Sequence, residues 1–107
     1  MVYTIDEIQR RIKPVAEKYN IPTIYLFGSY ARGEATDESD VDFLVDTVGA
    51  DLDGWKIGGF YESLKEVIEK QVDLVTVRAL ESENNQKFNL FFKENVNKER
   101  KKIYEYS

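Results

Sequence analysis

Asp40 and Asp42 stand two residues apart where a polar stretch runs into the apolar segment Val41–Val45. If that segment is a strand, alternate side chains share a face, so both carboxylates point the same way from the rim of a sheet. Two carboxylates held that close repel unless a proton or a cation lies between them. A hard divalent cation with oxygen ligands resolves the repulsion, and Mg²⁺ fits such a site best. Upstream, Gly28-Ser29 follows a second apolar run, Ile24–Phe27. Glycine there lets the backbone turn sharply and approach a ligand closely. Tyr30-Ala31-Arg32 can open a short helix whose free N–H groups favour an anion. Ser29 adds a hydroxyl, and Arg32 adds a forked, permanent charge suited to phosphate oxygens. The chemistry so assembled is phosphate on one side, metal on the other, and a nucleotide between them. No Gly-Lys-Ser/Thr triplet occurs, so the arrangement differs from a Walker-type loop.

Gly28-Ser29-Tyr30-Ala31-Arg32-Gly33, followed by Ser39-Asp40-Val41-Asp42, resembles the active-site pattern of the DNA polymerase β-type nucleotidyltransferases. More narrowly, it resembles the minimal nucleotidyltransferase group, many members of which are antitoxins paired with HEPN-domain toxins. The resemblance runs from about Tyr25 to Val77 and more loosely to both ends. It implies a third active-site carboxylate on a later strand, a position that Asp73 matches. By that resemblance Asp40, Asp42 and Asp73 hold two Mg²⁺ ions, and Asp73 is placed to take a proton from the attacking hydroxyl. Gly28, Ser29 and Arg32 then hold the β- and γ-phosphates of ATP. The implied reaction is in-line attack of a hydroxyl on the α-phosphorus, with pyrophosphate leaving. The implied acceptor is a tyrosine of a HEPN-domain toxin, which AMP would silence. Two other classes stand beside this one: an antitoxin that neutralises its toxin by contact alone, and transfer to a small molecule. Tyr30, Glu34 and Ser39 read as shape and loop residues rather than reactants.

The elements that must position these groups follow from periodicity. A chain of 107 residues suits one domain, spanning 1–107. Thr4-Ile5-Asp6-Glu7 has the form of a capping box, and Ile5, Ile8, Ile12, Val15 and Ala16 keep helical spacing over roughly residues 5 to 19. Pro14 falls inside that helix, where it removes a hydrogen bond. After the carboxylate strand, residues 46–54 form a connection carrying Asp46, Asp51 and Asp53, read either as a solvated loop or as an acidic lip of the site. Trp55 is expected to pack at the start of the next helix, with stacking on a base as the alternative. Phe60, Tyr61, Leu64, Val67 and Ile68 give that helix its apolar face. Val72–Val77 reads as the third strand, with Asp73 the exception in an apolar, β-branched run. Phe88, Leu90, Phe91, Phe92 and Val96 suggest a last helix after a polar lead-in over Glu81–Asn85. Ile103–Tyr106 alternates like a closing edge strand. The expected fold is α/β (α+β), a small mixed sheet covered by helices, as in the polymerase β-type palm.

Composition narrows the partners. The chain has no cysteine and no histidine, so thiolate chemistry, disulfides and imidazole bases are excluded. The net charge of −5 lacks the basic footprint that long nucleic acid requires, while a nucleotide neutralised by Mg²⁺ remains compatible. Lys98-Glu99-Arg100-Lys101-Lys102 is the one basic cluster, read as a solvated helix end or a contact with an acidic partner surface. No apolar run is long enough to span a membrane, and a cytoplasmic location is expected.

Overall fold

The computed structural model describes residues 2–50, 52, 54–81 and 90–106. Its elements follow the order α1 (Ile5–Lys18), β1 (Thr23–Phe27), α2 (Gly28–Arg32), β2 (Val41–Asp46), α3 (Lys56–Ile68), β3 (Val72–Thr76), α4 (Val77–Glu81), α5 (Leu90–Glu99) and β4 (Lys101–Glu105). The four strands form one mixed sheet in the order β3-β2-β1-β4. β1 pairs antiparallel with both β2 and β4, while β2 and β3 run parallel. This is the expected α/β architecture.

α1 begins where the sequence places it. Thr4 accepts from the Glu7 N–H at 3.1 Å and the Glu7 carboxylate accepts from the Thr4 N–H at 3.0 Å, which satisfies two of the N–H groups a helix start leaves open. Pro14 sits on the exposed side of the helix, where the carbonyl it leaves unpaired has access to water. Ile8, Ile12 and Ala16 are completely buried. They meet Phe60, Leu64 and Ile68 of α3 and the inward side chains of the strands in one core.

α3 ends in a way that delivers β3. The carbonyls of its last turn are taken by side chains from elsewhere, Val67 O by Arg11 at 2.8 Å and Ile68 O by the Tyr3 hydroxyl at 2.7 Å. Glu69 then adopts a left-handed conformation, φ +58°, and the chain turns into β3. The Val41 N–H reaches Gln71 O at 3.0 Å, extending the β2–β3 pairing and pinning its register.

Two boundaries and one packing expectation differ from the sequence reading. The third strand stops at Thr76, because the Thr76 hydroxyl accepts the Ala79 N–H at 3.1 Å and starts the short helix α4 at Val77. The closing strand begins at Lys101 rather than Ile103, since its backbone pairs with β1 regardless of the charge on its side chains. Trp55 precedes α3 but is 83% exposed and packs on no core. The expected helix start at Phe88, the lead-in from residue 82 and the aspartates 51 and 53 lie outside the described residues. Among the described residues, no helix is long and apolar enough to cross a membrane.

Candidate active site

The two faces of the sheet receive different side chains by simple alternation. Val41, Phe43 and Val45 of β2 enter the large core under α1 and α3. Leu44 turns the other way, into a small cluster with Phe27, Leu80 and Val96. Asp42 shares the Leu44 face. On β3, Val72 and Leu74 pack with the large core, so Asp73 lies on the same side as Asp42. The parallel register places Asp42 directly opposite Asp73.

The two carboxyl groups are cross-strand neighbours on one face, and the charge of Asp73 acts on Asp42. Burial, the neighbouring Asp73 carboxyl and the charge of Asp40 push the Asp42 carboxyl up to about 7, while Arg32 acts in the opposite direction. Burial and neighbouring charge therefore favour the protonated form of Asp42 well above the usual carboxylate range. All donor atoms of the pair are oxygens and it carries an excess of negative charge, which is the chemistry that a hard divalent cation relieves. The residues fit such an ion.

Asp40 lies one residue before β2. It is exposed. It acts on Asp42 through charge. Among the described residues, no three carboxylates converge into a ready-made metal cage.

The turn at the end of β1 faces this pair. Gly28 has φ +73°, a conformation L side chains rarely adopt. A Cβ there would overlap the Asp42 carboxylate and lie 3.0 Å from Asp42 Cγ. The glycine is thus required twice, by its backbone angle and by the closeness of Asp42. Ser29 follows, half-buried, and Arg32 ends the single turn of α2 before Gly33, φ +74°, reverses the chain. The neighbouring residues serve the loop. Tyr30 is buried, its hydroxyl accepting from Lys70 Nζ at 3.0 Å, and Ser39 Oγ accepts the Thr36 N–H at 2.8 Å.

One residue of the site was missed in the sequence. Glu99, at the end of α5, accepts from the Gly28 N–H at 2.9 Å through Oε1 and from Arg32 Nη1 at 3.0 Å through Oε2. Glu34 accepts from Arg32 Nε at 2.6 Å. Glu99 lies inside a basic cluster and far from the motif in sequence, and no local pattern marks it.

The chain is similar to several known proteins. The family model described as "Polymerase beta, Nucleotidyltransferase" matches residues 10–107. MJ1379 of Methanocaldococcus jannaschii, named provisionally as a protein adenylyltransferase, is 41% identical over 81 residues, covering 71% of this chain and 78% of that protein. The protein adenylyltransferase MntA of Thermococcus cleftensis is 45% identical over 47 residues, covering 40% and 48%. Among solved structures, a toxin–antitoxin complex with AMP-PNP superimposes with a TM-score of 0.66 at 24% identity, over 92% of this chain and 73% of the other. The complex of a tri-AMPylated Shewanella oneidensis HEPN toxin with its MNT antitoxin gives 0.61 at 21% identity, over 95% and 73%. At those identities the structures speak for the fold. The sequence match over nearly the whole chain goes further: this protein belongs to the polymerase β nucleotidyltransferase family.

Proposed function

We propose that this nucleotidyltransferase moves AMP from ATP to a hydroxyl of a protein, a tyrosine on a HEPN-domain toxin, and so acts as its antitoxin. The observation that carries the reading is the Asp42–Asp73 carboxyl pair facing the Gly28–Arg32 turn, a metal-type donor set beside a phosphate-type one. The names of the relatives support the direction of transfer, since they describe protein adenylyltransferases and a modified HEPN toxin. The net charge of −5 supports a nucleotide rather than a long nucleic acid as the anionic ligand. A cytoplasmic location belongs to the same reading.

In this mechanism Asp40, Asp42 and Asp73 would hold Mg²⁺, two ions in all. When bound, the metal supplies neutralisation of the triphosphate charge and favours the alkoxide form of the attacking hydroxyl. Gly28 admits the phosphates close to the backbone, while Ser29 and Arg32 hold their oxygens. The acceptor oxygen forms a bond to the α-phosphorus as the bond to the β-phosphate oxygen breaks, and pyrophosphate leaves. Asp73 takes the hydroxyl proton, a role for which no histidine is available.

The test is to incubate the purified protein with its HEPN-domain partner, ATP and Mg²⁺, and to weigh the partner by mass spectrometry. The expected product carries AMP on a tyrosine. Asp42→Asn should lower the rate by more than about a hundredfold, since even residues that merely support metal ligands are worth roughly 10- to 100-fold. A partner that is inhibited yet unmodified would overturn transfer and leave neutralisation by contact.

A further inference from the structure

Glu99 occupies two donors of the Gly28–Arg32 turn. Its carboxylate spans the Gly28 N–H, at 2.9 Å, and Arg32 Nη1, at 3.0 Å. Carboxylate and phosphate oxygens are recognised by the same donors, and an arginine fork serves either. A single N–H cannot serve both at full strength, and a carboxylate left beside a triphosphate would repel it. The second arginine contact, Glu34 on Nε at 2.6 Å, adds another negative neighbour without touching Gly28.

The placement of Glu99 is built into the fold. α5 is anchored on the carboxylate face through Val96, which packs with Phe27, Leu44 and Leu80, and through Phe92, whose ring meets Phe27 edge-on at 6.1 Å. Two residues beyond Glu99, Lys101 enters β4 opposite Leu26 of β1. Between them the Arg100 guanidinium lies over the Tyr25 ring at 4.7 Å. Backbone on both sides of Glu99 is therefore held against the strand that leads into Gly28. The side chain itself is 20% exposed and has three rotatable bonds, so solvent is open to it once displaced.

We propose that Glu99 is an internal competitor for the triphosphate. Its carboxylate sits on Gly28 and Arg32 in the free protein and must swing away when the phosphate oxygens of a nucleoside triphosphate bind there. The inference rests on the nucleotide reading of the site given above. Glu99 keeps the cradle assembled and Arg32 extended, and it sets a threshold that weakly binding anions do not pass.

Calorimetric titration of Mg²⁺·AMP-PNP into the wild-type protein, Glu99→Gln, Glu99→Ala, Arg32→Ala and Glu99→Gln/Arg32→Ala tests this. Removing the charge should tighten the nucleotide Kd by about tenfold. With Arg32 already replaced, the gain from Glu99→Gln should shrink to less than about threefold, because the two residues share one interaction. Circular dichroism at the titration temperature establishes that each variant is folded. Unchanged or weakened binding in folded Glu99 variants would overturn the competitor role alone, provided the wild type binds. If no form binds the nucleotide, the nucleotide reading falls and this inference with it. Loss of the fold in both Glu99 variants would also overturn it, since a side chain that must be displaced cannot be indispensable to folding.

Discussion

The two faces of the sheet use the same four strands for opposite ends. Under α1 and α3, the face formed by Ile24, Leu26, Val41, Phe43, Val45 and Val72 is completely buried. The other face has a small apolar cluster, Phe27, Leu44, Leu80 and Val96, and beside it the Asp42–Asp73 pair. A carboxylate on the first face would be buried without partner or water, at a cost of several kcal/mol. On the second face the apolar cover is partial, so charge is tolerated and a ligand can enter. Stability is concentrated where the pattern is purely apolar, and chemistry where alternation leaves polar groups near solvent.

The separation is broken most severely from the apolar side. Phe60 is completely buried and meets the Tyr19 ring edge-on at 5.5 Å. Phe60→Ala should cost about 3–5 kcal/mol in urea denaturation. Nucleotide affinity of the folded fraction should stay within about twofold of wild type. A large loss of affinity would mean that the two faces are coupled.

Gly28→Ala strikes the other face and should cost less, about 1–3 kcal/mol, from backbone strain at φ +73°. Its added Cβ must also push the Asp42 carboxylate aside. Its signature is therefore the reverse of the phenylalanine change: a modest fall in the denaturation midpoint with a large fall in nucleotide affinity. Normal affinity in a folded Gly28→Ala protein would contradict the close approach of turn and carboxylate.

The smallest effect is on pH dependence. Asp42 titrates near 7 in the folded protein and near 3.8 in the unfolded chain. Between those values the folded state binds the extra proton, so the contribution is fully present below the unfolded value and is lost as pH rises through about 7. The melting temperature of the metal-free protein should therefore decline between about pH 4 and about pH 7. Asp42→Asn should flatten that decline, and Mg²⁺ should offset it by replacing the proton. A slope identical in wild type and Asp42→Asn would show that the pair does not hold the proton.

Much of this was legible in the amino acids themselves, and the reason is local. The capping box of α1, the helical spacing of Ile8, Ile12, Val15 and Ala16, and the apolar runs of β1 and β2 are set by near neighbours, so they can be read within a window of a few residues. The same holds for Gly28, Ser29, Arg32, Asp40 and Asp42, which lie on one short stretch whose order resembles a family pattern. Asp73 lies farther off, and it was read as part of the site through the family resemblance, as a carboxylate in an otherwise apolar strand.

Tertiary structure decided the remainder. Only the parallel register of β2 and β3 sets Asp42 against Asp73, and burial in the fold together with that neighbour pushes the Asp42 carboxyl up to about 7. Glu99 is separated from Gly28 by 71 positions and joins it because β4 returns antiparallel along β1. Residue type and spacing determine what a side chain can do. Which side chains meet across such a separation is determined by strand order and register, since hydrogen bonds and charges act over a few ångströms of space whatever the distance along the chain.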